Sequence, residues 1–79
     1  MTTRNEVADI DNRFTYHKPH GDQNERYEYL RKEAGSLALK IFDLCPESRE
    51  RSLAITNLEQ AIMWANASIA RNEDEFGEL

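Results

Sequence analysis

Leu44-Cys45-Pro46-Glu47-Ser48 is the stretch on which the fold turns. Upstream of it, Tyr27, Leu30, Ala34, Leu37, Ala38, Ile41 and Leu44 recur at spacings of three and four, tracing one face of an α-helix. Downstream, Ala54, Leu58, Ala61, Ile62, Ala65 and Ile69 form a second such stripe. Proline disfavours helical geometry in the residue before it, so Cys45-Pro46 ends the first long helix. Proline is also comfortable in a first helical turn, so Pro46 can start the second helix, with Ser48 as an alternative cap. A connection this short forces the two helices into an antiparallel hairpin.

Working outward, Asp22 reads as the N-cap of the first long helix, with Glu25 completing a capping box. Residues 14–21 hold Pro19 and Gly21 and read as a loop. Residues 1–13, with Val7, Ala8 and Ile10 among charges, suit a short amphipathic helix. The expected organisation is one all-α domain over 1–79. It comprises a short helix (1–13), a loop (14–21), long helices over 22–45 and 46–71, and an acidic tail (72–79). Glu73, Asp74, Glu75 and Glu78 in that tail read as a solvated chain end.

The last helix carries a second, flanking stripe of Leu53, Ile55, Trp64 and Ala67, and one partner helix cannot cover both. Trp64 beside Ala61, Ala67 and Ser68 implies close helix approach, within the hairpin or between subunits. In 79 residues a single core leaves a thin stability margin, and small domains usually add disulfides, a metal or oligomerisation. Cys45 is the only cysteine, and His17 and His20 are the only histidines, so an intrachain disulfide is excluded and a structural zinc site is disfavoured. A compact homo-oligomer is therefore expected. The lone cysteine, with no signal peptide and no long apolar run, reads as a protein of a reducing cytosol without a membrane span.

A net charge of −5 argues against long DNA or RNA, whose binding needs many basic contacts. A ligand with two or three phosphates needs only a few cations. Phe14-Thr15-Tyr16-His17 places an aromatic plate in a loop, and Arg31 follows fifteen residues after Tyr16 on a helix. Rings stack on bases and guanidinium groups pair with phosphates, so Tyr16 with Arg31 suits a small nucleotide. Each residue also has an ordinary reading. Tyr16 near Pro19 can pin the loop to the hairpin, and Arg31 can pair with Glu28 or Glu33. Phe14 suits a core or interface plug, and Arg71 favours a helix C-terminus in any case.

Several strings together carry a resemblance: Phe14-Thr15-Tyr16-His17, Arg26-Tyr27-Glu28, Cys45-Pro46-Glu47-Ser48-Arg49-Glu50, Met63-Trp64-Ala65-Asn66-Ala67 and Ile69-Ala70-Arg71. In this order they resemble the phage anti-CBASS cyclic-oligonucleotide sponges, from about Phe14 to Arg71. The resemblance implies a hexamer of helical subunits that sequesters the second messengers of a bacterial immune system uncleaved, in the cytoplasm of the infected host. It implies cyclic dinucleotide pockets between two subunits, with Tyr16 and Arg31 as key residues and Phe14 beside them. It also implies a separate type of pocket for cyclic trinucleotides, with Arg71 as counterpart of a basic family residue and His17 as a further candidate. Family members commonly place a proline directly after the Phe-Thr-Tyr-His string. Here Lys18 precedes Pro19, which stiffens the loop less or adds a phosphate contact.

No cofactor is implied and catalysis is not expected. A phosphodiesterase would need a metal cluster or a paired acid and base, whereas the two histidines lie in a loop and the carboxylates are scattered over helix faces. The alternative is a helical protein-binding module acting on a host or phage protein, which the apolar stripes support equally but which leaves Tyr16 with Arg31 unexplained.

Overall fold

The computed structural model describes residues 1–73. Among them are three helices and no strand: α1 over Arg4–Phe14, α2 over Gln23–Leu44 and α3 over Arg49–Asn72. Each boundary has a local cause. Thr3 caps α1 through a capping box: its hydroxyl accepts from the Glu6 N–H at 3.1 Å, and Glu6 Oε1 accepts from the Thr3 N–H at 3.2 Å. The Thr3-Arg4-Asn5-Glu6 spacing fits this box, a signal the sequence reading did not use, and α1 runs on to include Phe14, which the sequence places in the loop.

Asp22 precedes α2 but does not cap it with its side chain. Its carboxylate is instead drawn to Arg26, whose Nε and Nη2 each lie 3.1 Å from Oδ1. Gln23 takes over the entry: its side-chain oxygen accepts from the His20 N–H at 3.2 Å while its own N–H donates to the His20 carbonyl at 3.1 Å. Gly21 supplies the one positive φ among the described residues, 59°, letting the chain turn into the helix. The second long helix starts at Arg49 rather than Pro46. Ser48 is its cap, accepting the Arg51 N–H at 3.1 Å.

The hairpin is antiparallel and tied at both ends. At the turn, Arg51 Nη1 donates to the carbonyls of Phe42 and Cys45, 3.3 Å each, and its guanidinium lies 4.8 Å from the Phe42 ring centroid. At the open end, Arg26 grips Glu73 with both prongs, Nη1–Oε2 at 2.6 Å and Nη2–Oε1 at 2.5 Å. Gln23 Nε2 adds a bond to Glu73 Oε1 at 3.1 Å. Between the ends, Leu30, Ala34, Ala38 and Ile41 of α2 are partly covered, as are Ile55, Leu58, Ile62, Ala65 and Ile69 of α3. Ile55 thus belongs to the inner stripe, while Ala54 and Ala61, expected there, are exposed. Leu58, Ile62, Ala65 and Ile69 keep their expected places, so the covered face of α3 differs from the expected stripe only along its edge.

Two helices cover little. Among the described residues Gln23 is the only one fully buried and no apolar side chain is buried; Trp64 remains 68% exposed, so its packing is not within the hairpin. The radius of gyration is 16.4 Å, against about 12 Å for a compact chain of this length.

Glu73 corrects the reading of the tail as solvated. Its side chain is 3% exposed in the grip of Arg26; Asp74, Glu75 and Glu78 lie outside the described residues. The hydrogen bonds from Arg26 first, then that from Gln23, hold the Glu73 carboxyl down at about 2, against an ordinary 4.5. The same contact raises the guanidinium of Arg26. A carboxyl lowered in the folded state stabilises the fold fully above 4.5, and that contribution is lost as pH falls toward 2. Melting temperatures of wild type and Glu73→Gln should therefore differ at neutral pH and converge between about pH 4.5 and 2.

Candidate functional site

The loop over 15–22 leaves α1 and crosses the open end of the hairpin, where residues distant in sequence meet. Asn12 fastens it there. Its side-chain nitrogen donates to the Arg71 carbonyl at 3.2 Å, and its own carbonyl accepts from His17 Nε2 at 2.7 Å. A carbonyl oxygen can only accept, so the His17 proton sits on Nε2. His17 is thereby a strut of the loop, and Tyr16 beside it stands out at 81% exposure.

Against this loop lies a cavity of about 350 Å³. Thr15, Tyr16 and His17 form its loop wall, with Arg13 at the end of α1. Tyr27 and Arg31 come from α2, and Asn66, Ala67, Ala70 and Arg71 from α3. The small side chains of Ala67 and Ala70 leave the space that the tyrosines border. Three guanidinium groups face one cavity, and none of the described residues lining it carries a carboxylate. In a chain of net charge −5 this is a local reversal of sign. Arg13 is partly neutralised by Asp9 at 3.0 Å, an exposed pair one helical turn away. Arg31 forms no ion pair or side-chain hydrogen bond with the described residues, so the ordinary pairing with Glu28 or Glu33 is not formed. The arrangement can stack an aromatic base and meet phosphate oxygens.

Of the candidates read from sequence, Tyr16, Arg31, His17 and Arg71 share this cavity. The sequence reading divided them between two pocket types; within the single chain they line the same space. Arg71 also borders a second cavity of about 500 Å³, with Phe14 and Trp64 on its rim. Phe14 faces that cavity and not the one with Tyr16, and at 80% exposure it is not a core plug of the single chain. Lys18 is exposed on the loop.

A scan against family models matches the Acb2/Tad1 hairpin domain over residues 6–70. The chain belongs to the Acb2/Tad1 hairpin family. This is the family of phage anti-CBASS cyclic-oligonucleotide sponges, and the match spans most of α1, the loop and nearly all of the hairpin. No curated protein and no solved structure matches the chain significantly. Among the described residues no group of three or more metal-binding side chains is assembled, and no helix is long and apolar enough to cross a membrane.

Sequence reasoning did not single out Arg13, Tyr27 or Asn66 among the residues lining this cavity. Asn66 had a visible signal, a polar residue in an apolar stripe between Ile62 and Ile69. Its Oδ1 is shielded from water and has no hydrogen-bond partner. An acceptor left so costs about 1–3 kcal/mol. Arg13 and Tyr27 carry no comparable mark.

Asn12→Ala should free α1 and its loop from α3 while leaving the hairpin helical. Losing one hydrogen bond corresponds to a roughly 2- to 10-fold rise in local opening. Hydrogen exchange should show it across residues 4–21 and leave the centres of α2 and α3 unchanged.

Proposed function

We propose that this protein binds cyclic oligonucleotide second messengers, cyclic dinucleotides such as 3′,3′-cyclic GMP-AMP foremost, and holds them uncleaved. In doing so it antagonises CBASS immunity in the cytoplasm of the infected bacterium. The observation that carries this reading is the cavity that unites exposed Tyr16 with Arg31 and Arg71 and has no carboxylate among its described lining residues. Membership of the Acb2/Tad1 hairpin family gives the same direction.

The cavity of one subunit lies at the lower end of the ~300–1,000 Å³ typical of small-molecule pockets. It suits one base and one phosphate, half of a cyclic dinucleotide. A two-fold interface presents each residue twice, so two copies supply two Tyr16 plates and two Arg31 cations to a ligand of nearly the same symmetry. Stacking tolerates different purines, so breadth is expected over strict base selection. Lys18, on the exposed loop, would add a phosphate contact from the rim, and Phe14 would flank the ligand from the adjoining subunit. The exposed apolar side chains, among them Val7, Ile10, Leu53 and Trp64, supply surface for a homo-oligomer, a hexamer on the family resemblance. A three-fold position in such a hexamer would match a cyclic trinucleotide at Arg71 and His17.

The same exposed apolar residues support a second reading, a module that docks on another protein. Calorimetric titration with 3′,3′-cyclic GMP-AMP separates the two. The sponge reading expects one ligand per two subunits, recovered intact on heating. Tyr16→Ala removes stacking worth roughly 1–3 kcal/mol per base at two bases, a loss of about 30-fold or more. Arg31→Ala should weaken binding in the same assay. Absence of binding by both this ligand and a cyclic trinucleotide would leave the docking module in front.

A further inference from the structure

Arg31 and Asn66 are the two residues shared by the Tyr16 cavity and an adjoining cavity of about 400 Å³ between α2 and α3. They form the ridge where the two meet. The second cavity is otherwise lined by apolar and small side chains, such as Ala34, Ala38, Leu58 and Ile62, with Glu59 at its border. On the ridge stand two complementary deficits. Asn66 Oδ1 is an acceptor shielded from water and without a donor. Arg31 is exposed, and its five N–H donors meet no acceptor among the described residues. Glu59 lies two helical turns from Asn66, about 10 Å along α3, and forms no ion pair with Arg31.

We infer that Asn66 is the positioning residue for Arg31 in the proposed site. When a phosphate draws Arg31 toward the Tyr16 cavity, one edge of the guanidinium donates to Asn66 Oδ1. The other edge is then presented to the ligand. A planar fork held on one edge keeps its remaining donors aimed, whereas a free arginine at a surface spends its attraction on ordering itself. The position of Asn66 in an apolar stripe, poor for packing, is accounted for in the same way. The inference rests on the binding function proposed above, and its test is arranged to survive the failure of that reading.

The first arm is a substitution cycle read by titration with 3′,3′-cyclic GMP-AMP, using Asn66→Ala, Arg31→Lys and the pair. Lysine keeps the charge but has no second edge to anchor. Asn66→Ala should weaken binding about tenfold beside arginine, the loss of one charge-assisted hydrogen bond, and change little beside lysine. An equal loss in both backgrounds overturns the inference, because a packing role is indifferent to the side chain at 31. Should Asn66→Ala fail to fold, the near-isosteric Asn66→Leu takes its place.

The second arm uses pyrophosphate, which has phosphates and no base, and follows the Arg31 Nε–H resonance. Pyrophosphate should shift and protect that proton in wild type and fail to protect it in Asn66→Ala. Equal responses in both proteins, or none in either, overturn the inference. If wild type ignores the cyclic dinucleotide yet responds to pyrophosphate through Asn66, the sponge reading falls and the role of Asn66 stands.

Discussion

The two-pronged contact between Arg26 and Glu73, at 2.5 and 2.6 Å, closes the end of the hairpin that the turn leaves open. A hairpin of two long helices is pinned by its connection at one end only, and the far ends would splay without a tie. Arg26 stands in the first turn of α2 and Glu73 directly follows α3, so the pair fixes both ends against each other. Gln23, the one fully buried residue among those described, bonds both to Glu73 and to the Ile69 carbonyl, filling the space beneath the pair. The cavity depends on this closure. Arg31 lies just over a turn beyond Arg26, Arg71 just before Glu73, and the loop bearing Tyr16 arrives at Gln23 through His20.

Such a contact is needed because burial does so little elsewhere. The inner stripe is built from alanine, leucine and isoleucine of which none is fully buried, and the apolar faces of α1 and α3 look outward. Hydrophobic stabilisation scales with area removed from water, and a two-helix layer removes little. Polar ties at the hairpin ends set geometry; they do not replace a core. The proposed homo-oligomer would cover this remaining apolar surface with further copies.

Much of this was legible in the sequence, for identifiable reasons. The helices follow from periodicity, and the turn from Pro46 and Ser48. Tyr16 and Arg31 stood out because an exposed ring and a cation have specific partners in nucleotides. What escaped were features that depend on competition between neighbours. Asp22 looked like a cap, but Arg26 one turn away offers its carboxylate a charged partner, and Gln23 then takes over the entry. Ala54 and Ile55 both fit a helical stripe, and only the packing of α3 against α2 decides which is covered. Glu73 looked like part of a solvated tail because its partner lies forty-seven residues away, beyond any local pattern.

The charge distribution explains how an acidic chain can hold a cavity lined by arginines. The carboxylates are not simply fewer near the cavity; several are engaged. Asp9 holds Arg13, Asp22 and Glu73 hold Arg26, and each engaged carboxylate contributes less field at the cavity than a free one would. Arg31 is left with its charge uncompensated by the described residues. The acidic exterior meanwhile discourages long polyanions, whose many phosphates would have to pass along it, while a small ligand with few phosphates meets mainly the arginines. The proposed preference for small ligands would follow from placing a few positive groups inside a negative surface, and the hairpin's end ties keep those groups together.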